Sequence, residues 1–151
     1  MKKSIKTVVV FLFVVTATMS SYAQMKSSSS TSEDREIRIY DYSKDQEIEL
    51  EVFGDTKYFE LNIESNIRYG ILKVELYDPT GKKQGRFSVK TIVSAEERKK
   101  MKPDQKNYMS EIVTGRINKQ FSDPIAGMWK VKVFPKQASG AIKLKSNQSK
   151  M

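Results

Sequence analysis

Apolar and polar residues alternate along most of the chain beyond residue 35. The alternating runs are short, rich in Val, Ile, Leu, Phe and Tyr, and separated by Gly, Pro, Asp, Asn or Ser at regular spacing. Period-two runs bounded by turn residues are typical of half-buried β-strands. The pattern predicts strands at residues 36–42, 47–53, 58–64, 71–77, 86–92, 108–121, 128–134 and 141–145. We therefore expect an all-β protein, a single jelly-roll-like β-sandwich of about eight strands.

Three local motifs interrupt or connect these runs. "DPTG" begins at Asp78 and has the residues that a type I turn prefers. At Ser94 the alternation stops, and Glu97 three residues later completes a capping box. This predicts one short helix within a loop, and Pro103 is expected to end that helix. Pro135 and Gly140 predict a hairpin between the last two strands.

The last two strands have one apolar and one basic face. Trp129, the only tryptophan, falls in the apolar phase of its strand, so we expect it to be a core anchor rather than a ligand-stacking ring. Paired as a hairpin, the two strands would present four lysines on one outer surface, Lys130, Lys132, Lys143 and Lys145.

The N-terminal residues have the features of a secretory signal peptide. Three lysines precede an apolar run at residues 8–15, and Ser21-Tyr22-Ala23 offers a small-x-small cleavage site. We expect cleavage after Ala23 and a periplasmic or secreted product. The mature chain would have a flexible Ser-rich leader at 24–34, a sandwich domain at 35–147 and a polar tail at 148–151.

The composition restricts the chemistry. Cysteine and histidine are both absent, which excludes a thiol nucleophile, a Ser-His-Asp triad and metal sites built on imidazole or thiolate. Calcium, which takes oxygen ligands, is left open by turn aspartates such as Asp41 and Asp45. No segment supplies a dense ligand loop, so we expect no cofactor and no catalytic activity.

Charge is distributed unevenly within the net +9 of the chain. Residues 33–78 hold 13 acids and 6 bases, whereas residues 79–151 hold 17 bases and 5 acids. Either acidic and basic strands lie side by side and cancel, or a basic face meets an anionic partner. The second interpretation takes the four strand lysines and a helical cluster as its candidate surface, the cluster being Arg98, Lys99, Lys100 and Lys102.

Three segments resemble a known family. They are Tyr77-Asp78-Pro79-Thr80-Gly81, the strand from Gly127 to Val133 containing Trp129, and Gly140-Ala141-Ile142. This pattern is similar to the bacterial pre-peptidase C-terminal domain and to the P (Homo B) domain of proprotein convertases. The resemblance implies a non-catalytic jelly-roll sandwich, of a type usually appended to secreted peptidases for stability, targeting or binding. Ile71 and Lys73 stand where the family often has acids, which weakens the expectation of a family-style calcium site.

The sequence thus predicts an exported, non-catalytic module that binds an envelope or secreted protein, with recognition in its loops, especially residues 94–107. The alternative is an electrostatic binder of anionic glycan or lipid through the lysine-rich surfaces. Export argues against nucleic acid as a partner, despite the basic composition.

Overall fold

The computed structural model describes residues 29–40, 43–108 and 112–150. Within these ranges the chain forms six β-strands and two short helices. In chain order they are β1 (Ser30–Ile39), β2 (Gln46–Val52), β3 (Tyr58–Tyr77), β4 (Lys83–Lys90), α1 (Ala95–Lys100), α2 (Pro103–Tyr108), β5 (Val113–Ser122) and β6 (Gly127–Ser149). The predicted signal peptide, residues 1–23, lies outside the described residues.

Two long antiparallel strands, β3 and β6, form the centre of the sheet. They pair with each other from Tyr58 opposite Ser149 to Tyr77 opposite Lys130. The first half-sheet consists of β1, the second half of β6, the first half of β3, and β5. The second half-sheet consists of β2, the first half of β6, the second half of β3, and β4. Every strand is antiparallel to its neighbours, and β3 and β6 belong to both half-sheets.

A glycine in each long strand lies where the two half-sheets meet. The β3–β6 register shifts on either side of Tyr69. Next to it, Gly70 has a φ of +93°, and a Cβ added there would overlap the backbone carbonyl of Gln137. A Cβ added at Gly140 would overlap the carbonyl of Asn66. Only glycine lets the two backbones approach this closely, so these two residues permit the sheet to fold over on itself.

The core lies between the two half-sheets. Trp129 on the second half-sheet packs against Phe59 and Phe121 on the first, with ring centroids 5.3 and 4.6 Å apart. The indole N–H of this buried ring donates a hydrogen bond to the carbonyl of Ile125 at 2.8 Å, which satisfies its polar atom. The rest of the core is aliphatic and occupies alternate strand positions, among them Ile39, Ile48, Leu50, Leu61, Ile63, Leu72, Val74, Leu76, Val131, Val133, Ile142 and Leu144.

The predicted all-β class and the sandwich are confirmed, whereas the number of strands differs. The third and fourth predicted strands are two parts of β3, and the seventh and eighth are two parts of β6. The predicted hairpin between the last two strands is therefore wrong, because residues 135–140 continue β6 through the bend. Gln137 has a φ of +46° there, so turn-forming residues mark a change of direction without a chain reversal.

Two local motifs form as the sequence predicts, and one differs. The Ser94 hydroxyl accepts from the Glu97 N–H, and the Glu97 carboxylate accepts from the Ser94 N–H, which confirms the capping box. In the "DPTG" turn the Gly81 N–H donates to the Asp78 carbonyl at 2.9 Å. Pro103 does not close a single helix, however. It begins α2, consistent with the preference of proline for a first helical turn.

The predicted flexible leader at 24–34 is wrong for residues 30–34. These residues belong to β1 and pair antiparallel with the end of β6, for example Ser32 with Asn147. Residues 24–28 lie outside the described part of the chain.

The predicted polar tail at 148–151 is wrong at Gln148, whose side chain is buried. Its amide N–H donates to the Glu51 carbonyl at 2.6 Å, and its amide oxygen accepts from the Phe53 N–H and the Thr56 hydroxyl. The residue thus links the first half-sheet to the chain that leaves β2, and the domain extends beyond the predicted 35–147.

Replacing Gly70 by alanine should destabilise the domain by about 2–5 kcal/mol, because the new methyl group meets backbone and the residue keeps a left-handed conformation. Gly54→Ala is the matched control, since nothing lies within 4 Å of a Cβ there, and it should change stability by less than about 1 kcal/mol. Urea unfolding followed by Trp129 fluorescence measures both. Equal effects of the two substitutions would contradict the role assigned to Gly70.

Candidate functional site

The two lysines in the first half of β6 are paired with acids. On the outer face of the second half-sheet, Lys130 Nζ lies 2.6 Å from Glu47 and 3.5 Å from Glu49, and Lys132 Nζ lies 3.4 Å from Glu47. The hydrogen bond between Lys130 and Glu47 raises the pKa of the lysine and lowers that of the carboxyl. The interpretation that acidic and basic strands lie side by side is confirmed here.

The other two strand lysines lie on the opposite outer face. Lys143 and Lys145 flank the buried Leu144 in the first half-sheet, so they point away from the core on the side remote from Lys130. Lys145 Nζ lies 3.3 Å from Asp34, and Lys143 pairs in register with Glu36. The predicted single surface of four lysines is therefore wrong, because it required a hairpin that the chain does not form.

The helical basic cluster lies in the long connection between β4 and β5. Arg98 is half-buried, and its guanidinium lies 5.2 Å from the ring centre of Tyr69, in cation–π contact with β3. Lys99, Lys100 and Lys102 are exposed. Arg98 thus helps to hold α1 against the bend of β3.

Glu75 has the most strongly shifted pKa among the carboxyl groups of the described residues. It is buried on β3 and accepts hydrogen bonds from Lys83 at 2.5 Å and Tyr77 at 2.6 Å, while Lys73 Nζ lies 3.0 Å away. These contacts, led by Lys83, lower its pKa from 4.5 to about 2. Because Glu75 stays ionised near neutral pH, it cannot serve there as a general acid, and the cluster binds strands β3 and β4 together.

A groove opens at the end of the sandwich where the sheet bends. This bend end contains the two glycines of β3 and β6 and the described parts of two connections, residues 40 and 43–45 and residues 91–108 and 112, whereas the open end contains Ser30 and Ser149. The groove encloses about 360 Å³, and its lining includes Ser139, Gly140 and Ala141. Their small side chains leave room between larger neighbours from three other segments, namely Glu36, Arg38, Tyr40, Arg68 and Ile112.

Large apolar side chains are exposed at this end of the sandwich. Ile112 and Tyr40, which line the groove, are 56% and 47% exposed, and Ile92 is 83% exposed. Ile92 belongs to the same end, because the N–H of the preceding Thr91 donates to the Gly70 carbonyl at 3.1 Å. Exposed apolar and aromatic residues beside arginines have the composition of a protein interface.

Sequence reasoning missed this groove. Its residues come from the end of β1, the bend of β3, the start of β5 and the bend of β6, and no local motif connects them. The available signal was a pair of glycines, Gly70 and Gly140, each close to an interruption of the alternation.

In the described ranges, no group of three or more acidic side chains is arranged to hold a metal ion. Asp41, named above for calcium, lies outside those ranges. None of the described helices is long and apolar enough to cross a membrane.

Comparison with known proteins gives no family. No protein-family model matches the chain, and no curated protein matches it. Among solved structures, it is similar to a chain of the Bacillus endospore appendages, described as a novel family of disulfide-linked pili, with a TM-score of 0.42 and 7% identity over 82% of this chain and 88% of that one. It is also similar to dimeric latent PorU from Porphyromonas gingivalis, with a TM-score of 0.47 and 7% identity over 82% of this chain and 13% of PorU. Likeness at this level does not show a shared family or activity.

Glu75→Gln should destabilise the domain at pH 7 by about 1–3 kcal/mol, the range for losing charged hydrogen bonds. Because the pKa of Glu75 is lowered in the folded protein, its ionised carboxylate stabilises the fold at pH values above 4.5, the pKa of the unfolded state. This stabilisation is lost as the pH falls towards about 2. The wild-type protein should therefore lose more stability than the variant between these pH values, and the two should converge near pH 2.

Urea unfolding at pH 7, 4.5, 3 and 2 tests this. Glu49→Gln is the control, since this exposed carboxylate has only a 3.5 Å ion pair and should contribute less than about 1 kcal/mol. A constant difference between wild type and Glu75→Gln across the whole pH range would contradict the ionised role of Glu75.

Proposed function

We propose that the chain is an exported, non-catalytic binding module that recognises an envelope or secreted protein partner through its bend end. The observation that carries this proposal is the exposed apolar side chains of the bend end, namely Tyr40 and Ile112, which line the groove together with two arginines, and Ile92. The signal-like N-terminus supports export to the periplasm or the cell exterior.

The resemblance to the pre-peptidase C-terminal domain supports the same kind of role. Its motif residues act in the structure as supports of the fold. Asp78 accepts hydrogen bonds from Thr80, Lys82 and Gln84 within the turn, and the Pro79 ring packs closely over Gly127. Motifs that maintain a scaffold leave recognition to the connections at its ends. The described part of the connection between β4 and β5 includes the predicted 94–107, and Thr91 and Arg98 hold it to the bend end.

The alternative, an electrostatic binder of anionic glycan or lipid, has less support. It needs lysines that share one surface, whereas Lys130 and Lys143 lie on opposite faces and Lys130, Lys132 and Lys145 each have an acidic neighbour. Ion pairs of this kind reduce the potential that would attract a polyanion.

A capture experiment with paired substitutions tests the proposal. Immobilised protein of residues 24–151 is exposed to envelope extract from its own host at low and at high salt, alongside Ile92→Lys, Ile112→Lys and the double variant. We expect a protein partner that is retained at high salt and whose capture falls about tenfold or more in the double variant.

Ile125→Lys is the control, because Ile125 is 47% exposed but lies at the open end, beside Trp129. All of these isoleucines are exposed, so stability should change by no more than about 0.5 kcal/mol. Retention of anionic glycan or lipid alone, lost as salt rises, would contradict the proposal and favour the alternative. Undiminished capture by the double variant would remove the bend end as the site.

A further inference from the structure

The groove at the bend end contains two arginines that form no ion pair with any described residue. Arg38 lies at the end of β1, and Arg68 lies on β3 next to the register shift; both are exposed and both line the groove. Across the described part of the chain, neither side chain has an ion-pair or hydrogen-bond partner. Arg38 pairs in register with Ala141, so no acid faces it from the neighbouring strand.

Two guanidinium groups at one groove are suited to a planar anion. A guanidinium presents parallel N–H donors that match the two oxygens of a carboxylate, and it is more weakly hydrated than an ammonium group. Gly140 and Ala141, whose side chains leave room in the groove, line it together with Tyr40 and Ile112, so apolar surface adjoins the two arginines.

A carboxylate in the same groove restricts which anion fits. Glu36 lies two residues before Arg38, on the same face of β1, and also lines the groove. Lys143 is its neighbour in register, but the two side chains form no ion pair within the described residues. A phosphate or sulfated glycan carries acceptor oxygens and negative charge on all sides and would be repelled by Glu36. A peptide can place one carboxylate beside a backbone N–H, and that N–H can donate a hydrogen bond to the Glu36 carboxylate.

We propose that this groove binds a peptide segment of the partner through one carboxylate, held between Arg38 and Arg68, with an adjacent backbone N–H directed at Glu36. The proposal rests on the binding role proposed above and specifies its ligand chemistry. The carboxylate belongs to an Asp or Glu side chain or to a chain terminus, and the apolar residues beside it contact Tyr40 and Ile112.

Selection from two random peptide libraries tests this with defined probes. In one library the peptides have a free C-terminal carboxylate, and in the other that end is blocked by fusion. If the carboxylate belongs to a side chain, selection on the wild-type protein should enrich Asp and Glu next to apolar residues in both libraries. If it belongs to a chain terminus, only the library with free C-termini should yield binders. Peptides so selected should bind Arg38→Gln and Arg68→Gln about tenfold or more weakly.

Arg86→Gln is the matched control, because Arg86 is an exposed arginine on β4 that does not line the groove. It should leave peptide affinity within about twofold, and urea unfolding should show all three variants to be folded. Glu36→Gln should weaken peptide binding. Inorganic phosphate should displace the peptides no more than another salt does at the same ionic strength.

Several results would overturn the proposal. They are selection without acidic residues or free termini, equal affinity for wild type and both arginine variants, and displacement of the peptides by phosphate at matched ionic strength. Its failure can be told apart from failure of the binding role. If partner capture depends on Ile92 and Ile112 but not on Arg38 and Arg68, the proposed binding role stands and the proposed carboxylate site is overturned. If capture depends on none of these residues, the bend end is not the binding site.

Discussion

The close approach of the β3 and β6 backbones at the bend is the contact on which the rest of the molecule depends. Gly70 and Gly140 each lie against the other strand where a Cβ would overlap a carbonyl oxygen. Because both strands remain paired on either side of this point, one sheet supplies both layers of the sandwich. The apolar faces of the two layers then meet around Trp129, and the small residues of the bend leave a groove at the end of the molecule. The core and the candidate site therefore have the same origin.

Alternation predicted the buried and outward faces of residues 128–134 and 141–145 correctly, because the side-chain period of a strand is two whatever its partners are. Trp129 is buried and Lys130 lies on the outer face for this reason. The capping box at Ser94 and the turn at Asp78 were also predictable, since each is completed within a few residues. The continuity of β3 and β6 was not, because glycine and proline mark bulges and bends as readily as reversals. Only pairing with a strand distant in sequence distinguishes them.

The candidate site was less predictable than the fold. Alternation gives the phase of a lysine but not the strand opposite it, so the pairing of Lys130 with Glu47 and the separation of Lys130 from Lys143 could not be read from the sequence. The uneven distribution of charge was a real signal, and its explanation is the adjacency of acidic β2 to basic β6. Arg38 and Arg68 could not be linked from the sequence, because they belong to β1 and β3 and come to one groove only through the folded sheet.

The shared use of β6 also governs the order in which the domain can form. This strand contributes to both half-sheets, and its first half pairs with residues as distant in sequence as Gln46 of β2, which lies opposite Val133. Neither layer can be completed from the preceding strands alone, so no stable half-domain precedes the arrival of β6. Contacts of such long sequence separation require loop closure before they yield stabilisation, which places the chain among slowly folding topologies. Until β6 is present, β1 and β2 have no strand to pair with, since in the described part of the chain both pair only with β6.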